Sequence, residues 1–192
     1  MLDAEAFSAT LQVTRLLDEM QVPYVIGGSV ASTVHGLVRT TVDVDIVADL
    51  KPQHVGQFSA GLSEQFYIDE VSVRRAIVRR TSFNLIHLKT MVKVDVFLPK
   101  DRQFDRQQLA RRIAEPVHPD SDDILWILTP EDVILAKLDW FRQGGGVSER
   151  QWRDVLGVIK TQAARLDREY LLQGAAQLNV SDLLTRALQE VD

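Results

Sequence analysis

Val42-Asp43-Val44-Asp45-Ile46-Val47 places aspartates at every second position between branched apolar residues. Successive side chains of a β-strand face opposite ways, so this alternation reads as a strand with Val44 and Ile46 turned to a core. Asp43 and Asp45 then share the other face, where two carboxylates repel unless a cation lies between them. Magnesium suits such a pair: it takes hard oxygen ligands, few of them from protein, and leaves places for phosphate oxygens. Lys93-Val94-Asp95-Val96-Phe97 repeats the pattern with one acid. If the two strands are neighbours, three carboxylates converge, enough to hold two metal ions about 3.5–4 Å apart. Taken alone, Asp-x-Asp equally fits a solvated strand face.

Upstream, Tyr24-Val25-Ile26 reads as a short buried strand that ends at Gly27-Gly28-Ser29, and a short helix follows to Gly36. Glycines let backbone approach a ligand closely, and the N–H groups that open a helix bind anions. Ser29 can cap that helix or bond a phosphate oxygen. The turn lacks the Gly-Lys-Ser/Thr of a Walker A loop and the spacing of a dinucleotide-binding fingerprint. Its place ahead of the acidic strand makes it a candidate phosphate cradle followed by a metal site. Arg39, on the connecting loop, either reaches the same phosphates or lies in solvent.

The rest of the chain predicts a helix over 4–20, another over 52–62, and an indistinct stretch to Arg80. Strands over 83–88 and 91–97 follow, joined at Lys89-Thr90 as a hairpin. A helix over 102–113 and a strand over 124–128 complete this half. Thr129-Pro130-Glu131-Asp132 has the chemistry of a helix start, with a capping threonine, proline at the first position and acids in the first turn. Beyond it lie three or four helices, interrupted at Gly144-Gly145-Gly146. The expected fold is α/β (α+β): a mixed-sheet core over 1–128 and a helical C-terminal part over 129–192.

Gly28-Ser29, then Arg39-Thr40-Thr41-Val42-Asp43-Val44-Asp45, then an Asp95 strand, resemble the nucleotidyltransferase superfamily of polymerase-β type. The chain departs from that pattern at Val42, where many members carry serine or another small polar residue; the metal ligands do not depend on it. Lys137 falls on the apolar stripe Ile134, Leu138, Phe141, where a lysine must snorkel outward or meet an anion, and Asp154 lies on the next predicted helix. Asp132, Lys137 and Asp154 together are similar to the abortive-infection toxin nucleotidyltransferases of AbiEii type. The resemblance implies a magnesium-dependent (or manganese-dependent) transferase that takes a nucleoside triphosphate as substrate. Asp43, Asp45 and Asp95 would hold the metal, while Gly27, Gly28, Ser29, Arg39 and Lys137 would bind the nucleotide. Lys137 and Asp154 would complete the catalytic set, Asp154 orienting the triphosphate or the acceptor. It further implies an acceptor such as tRNA or a protein, and a cognate antitoxin as partner. Two other readings stay open: a non-catalytic nucleotide-binding regulatory module of the same fold, and a metal-dependent phosphoesterase.

Composition narrows the classes. The 192 residues are 45% hydrophobic and 26% charged, ordinary for a globular chain able to bury a sizeable core. A formal net charge of -5 argues against nucleic-acid binding by bulk electrostatics. The absence of cysteine excludes disulfides, thiolate metal sites and cysteine nucleophiles. The acidic N-terminus and the lack of a long apolar run predict a soluble, cytoplasmic protein with no membrane partner. His35 is expected to be structural, and Asp69-Glu70 and Asp122-Asp123 to be solvated loop acids. Arg74-Arg75, Arg79-Arg80 and Arg111-Arg112 are expected to be solvated or to touch an RNA acceptor. Trp126, Trp140 and Trp152 are expected in the core or at an internal interface.

Overall fold

The computed structural model describes residues 4–36, 43–116 and 123–191; Arg39, Val42 and Asp122 lie outside them. Within these residues the chain runs α1 (Ala4–Glu19), β1 (Tyr24–Ile26), α2 (Gly28–His35), β2 (Val44–Ala48), α3 (Val55–Leu62), β3 (Phe66–Tyr67) and α4 (Glu70–Arg79). It continues through β4 (Ser82–His87), β5 (Lys93–Phe97), α5 (Gln103–Arg111), β6 (Ile113–Pro116) and β7 (Ile124–Ile127). Helices α6 (Pro130–Gln143), α7 (Glu149–Gln162), α8 (Arg168–Gln177) and α9 (Ser181–Val191) follow. Among the described residues no helix is long and apolar enough to cross a membrane.

The strands form one mixed sheet in the order β3-β4-β5-β2-β1-β7-β6. β2 runs antiparallel to β1 and parallel to β5, and β1 runs parallel to β7. Alternation assigns the faces: Val44, Ile46 and Ala48 of β2 are buried, as are Val94 and Val96 of β5. These pack under α1, α3 and α4 with Ala6, Val13, Leu17, Phe58 and Val73. The opposite face carries Asp45 and Val47 of β2 beside Asp95 and Phe97 of β5, and α2, α6 and α7 pack against one another around it.

Local chemistry explains most boundaries. The Thr129 hydroxyl accepts from the Asp132 N–H at 3.2 Å and Pro130 opens α6, as the sequence predicts. Four details differ from expectation. β2 begins at Val44, so Asp43 precedes the strand. The β4–β5 connection spans residues 88–92 rather than two, closed by His87 Nδ1 on the Thr90 hydroxyl at 2.7 Å, with Met91 left-handed at φ 59°. The indistinct stretch holds β3 and α4. Asp69 is no loose loop acid, since it caps α4 by accepting from the Val71 N–H at 3.1 Å.

Candidate active site

The turn between β1 and α2 brings backbone against the acidic strand. The Gly27 N–H donates to the Asp45 carbonyl at 2.9 Å, and the Ser29 N–H donates to the Asp45 carboxylate. Gly28 sits at φ +54°, and a Cβ built there would lie 1.7 Å from Asp45 Oδ2. Only glycine allows this approach, because other residues pay for the left-handed conformation and here also collide. Asp45 in turn stands opposite Asp95 across the parallel β2–β5 pair.

One cleft of about 470 Å³ gathers Gly27, Gly28, Ser29, Asp43, Asp45, Asp95, Lys137 and Asp154 along its walls. Every described residue that the sequence singled out for the site is among them; Arg39 lies outside the described residues. Burial pushes the Asp45 carboxyl above the usual carboxylate range, and the charges of Asp95 and Asp43 push it the same way. Lys137 and the Ser29 N–H pull against them. This is the electrostatic strain that a cation relieves. Among the described residues no three acidic or imidazole groups already stand close enough to enclose a metal ion. The donors around the cleft are nonetheless hard oxygens, with no thiolate or imidazole, and so fit magnesium or manganese rather than a softer metal.

Lys137 does not snorkel to solvent. Its ammonium donates to Asp154 Oδ2 at 2.9 Å, with the two side chains 11% and 13% exposed. Asp132 stands apart from this pair. It is fully buried and accepts from the Tyr170 hydroxyl at 2.6 Å and the Thr129 hydroxyl at 3.1 Å, joining α6 to α8. His35 donates through its Nε2–H to the Leu128 carbonyl, 2.7 Å away, and is buried outside the cleft lining.

Several residues in or beside the cleft escaped the sequence reading. Lys93 lies two residues before Asp95 on the same strand face, and its ammonium reaches that carboxylate at 2.8 Å. The bond to Asp95 holds the Lys93 ammonium above its ordinary range. The i, i+2 spacing was the available signal. Lys100 and Arg102 line the far wall, where Arg102 bridges Asp105 at 2.5 Å and Asp139 at 2.8 Å. Trp140 also lines it, half-exposed rather than buried, because it follows Lys137 by one helical turn on the cleft side of α6. Arg111 and Arg112 are not an exposed basic patch: their guanidinium groups lie 3.7 Å from the Tyr170 ring centre and 4.6 Å from that of Trp126. Asp123 pairs with Arg15 at 2.7 Å.

The arrangement of this mixed sheet and its helices is shared with proteins solved as nucleotidyltransferases or as resembling them. An antigenic nucleotidyltransferase-like protein from Paracoccidioides brasiliensis shares it, with a TM-score of 0.58 and 18% identity over 98% of this chain and 94% of its own. So does the antibiotic-resistance protein ANT(2'')-Ia solved with adenylyl-2''-tobramycin, at a TM-score of 0.55 and 12% identity over 90% of this chain and 96% of that one. No family model and no curated protein matches the chain.

Proposed function

We propose that the chain is a nucleotidyltransferase that moves a nucleoside monophosphate from a nucleoside triphosphate to an acceptor. The observation that carries the reading is the register of Asp45 with Asp95, with Gly28 pressed against the Asp45 carboxylate at the start of α2. Backbone N–H groups of the Gly27–Ser29 turn, the Ser29 hydroxyl and Lys137 would hold the phosphates, with Arg39 a further contact. Asp43, Asp45 and Asp95 would hold magnesium or manganese, which when bound neutralises phosphate charge and lowers the cost of displacement at phosphorus. Asp95 would alternatively take the proton of an acceptor hydroxyl. The acceptor oxygen then bonds to the α-phosphorus, the bond from that phosphorus to the bridging oxygen breaks, and pyrophosphate leaves with the electron pair. Asp154 keeps the Lys137 ammonium oriented into the cleft. Fixed charge and position, rather than a covalent enzyme intermediate, would supply the acceleration.

The Lys137–Asp154 pair favours the AbiEii-type reading, in which the acceptor is RNA such as tRNA, or a protein, and a cognate antitoxin restrains the enzyme. ANT(2'')-Ia, crystallised with an adenylylated tobramycin, makes a small hydroxylated molecule the second class to assay. The deciding experiment incubates the chain with each labelled triphosphate, magnesium and a cell extract or an aminoglycoside panel, then identifies the labelled product. Asp45→Asn and Asp95→Asn should stay folded and lose at least about 10²-fold in transfer and pyrophosphate release. Wild-type rates in either folded variant would refute the assignment. Nucleotide binding without pyrophosphate release on any acceptor would favour a regulatory module, and cleavage of nucleic acid without added nucleotide a phosphoesterase.

A further inference from the structure

The cleft continues beyond the carboxylates along the strand direction. On β5, Phe97 follows Asp95 on the same face, and on β2, Val47 follows Asp45 and stands opposite Phe97 in register. Over them α6 brings Trp140, whose ring centre lies 5.7 Å from that of Phe97 with the planes 71° apart. The two rings make a corner rather than a filled stack, and Trp140 keeps 49% of its surface exposed. Val47, Phe97 and Trp140 line the same cleft as Gly28, Asp45 and Lys137. A large aromatic left half-open on the wall of the cleft offers a ligand a flat apolar face. One turn further along α6, Gln143 also lines the cleft. Lys137, Trp140 and Gln143 therefore follow one another at three-residue spacing, about 4.5 Å apart along the helix axis. Their order is cation, flat ring, amide, and a nucleotide presents phosphate, base face and base edge in that same order.

We propose that Trp140 is the stacking surface for the base of the nucleoside triphosphate, with Phe97 closing one side and the Gln143 amide beside the base edge. The assignment rests on the nucleotide-binding reading above. Because every base has a π-face, stacking supplies affinity with little choice among bases.

Calorimetric titration of the full chain with magnesium and each nucleoside triphosphate, and separately with inorganic tripolyphosphate, tests it. Tripolyphosphate offers the phosphates without a base. Trp140→Ala should weaken nucleotide binding by about 10–100-fold, leave tripolyphosphate binding unchanged, and be largely rescued by Trp140→Phe. Equal loss for both probes would make Trp140 a structural support and overturn the proposal. So would unchanged nucleotide affinity with a raised KM for the acceptor, which would assign the ring to the second substrate. Wild-type affinity no better for nucleotides than for tripolyphosphate overturns the stacking assignment alone, whereas no binding of either probe overturns the nucleotidyltransferase reading with it.

Discussion

Gly28 is the residue on which the site's geometry turns. Its backbone lies where any side chain would displace the Asp45 carboxylate, so Gly28→Ala meets both a collision and an unfavourable positive φ. The left-handed conformation alone costs about 1–2 kcal/mol, and a carboxylate displaced by about 1 Å costs about 10²-fold in rate. Urea unfolding and pyrophosphate release should report both losses. A Gly28→Ala protein with wild-type transfer would show that the turn does not touch the chemistry. Asp45 and Asp95 were legible in the sequence because strict alternation assigns the face of each strand residue without further information. Their adjacency was not legible, since only the parallel pairing of β2 with β5 supplies it. Lys93 was passed over although its i, i+2 spacing from Asp95 was legible, because spacing alone does not tell a lysine paired with that acid from one turned to solvent.

The packing of α6 on its neighbours joins stability to function. Lys137 and Asp154 bridge α6 to α7 with both side chains nearly buried. Removing one partner leaves a charge uncompensated, so Asp154→Ala should cost about 3–5 kcal/mol, whereas the apolar pair Lys137→Met with Asp154→Leu should fall near wild-type stability. The double variant should nevertheless bind triphosphate poorly, and its retention of full affinity would detach Lys137 from the phosphates. On the α8 side, burial lifts the Asp132 carboxyl above the usual carboxylate range, against the Tyr170 and Thr129 hydroxyls and Arg111, which favour its ionised form. The folded chain thus holds this proton more tightly than the unfolded chain. Its contribution to stability is complete below the ordinary carboxylate value of about 4 and is lost as pH rises through the raised folded value, by up to about 1.4 kcal/mol per pH unit. Asp132→Asn lacks that dependence, so the Tm advantage of wild type over the variant should shrink from acid towards neutral pH; a constant difference would contradict it. The start of α6 was readable from its cap residues. Helix α4 was not, because Arg74, Arg75 and Arg79 equal the buried Val73, Ala76 and Ile77 in number, and the exposed Val71 and Val78 blur the apolar spacing. Strand β6 was missed because its four residues, Ile-Ala-Glu-Pro, are short, end in proline and show no apolar alternation in sequence, although half-buried and exposed side chains alternate along it.

At the scale of the whole molecule, the described site groups come from the start, middle and last third of the chain. The cleft exists only where strands β2 and β5 lie side by side under α6 and α7. The β2–β5 pairing is non-local, since β3, α3, α4 and β4 intervene in sequence, and contacts of that kind form slowly because loop closure must precede them. Regain of transfer activity after dilution from urea should therefore follow the slowest refolding phase, and activity returning with an earlier phase would show a site that assembles without the full sheet. During synthesis on a ribosome the same pairing acts as a delay. Asp45 emerges long before its counterpart at Asp95, and the lysine of α6 later still, so a nascent chain carries the first carboxylates of the cleft without the groups that complete it.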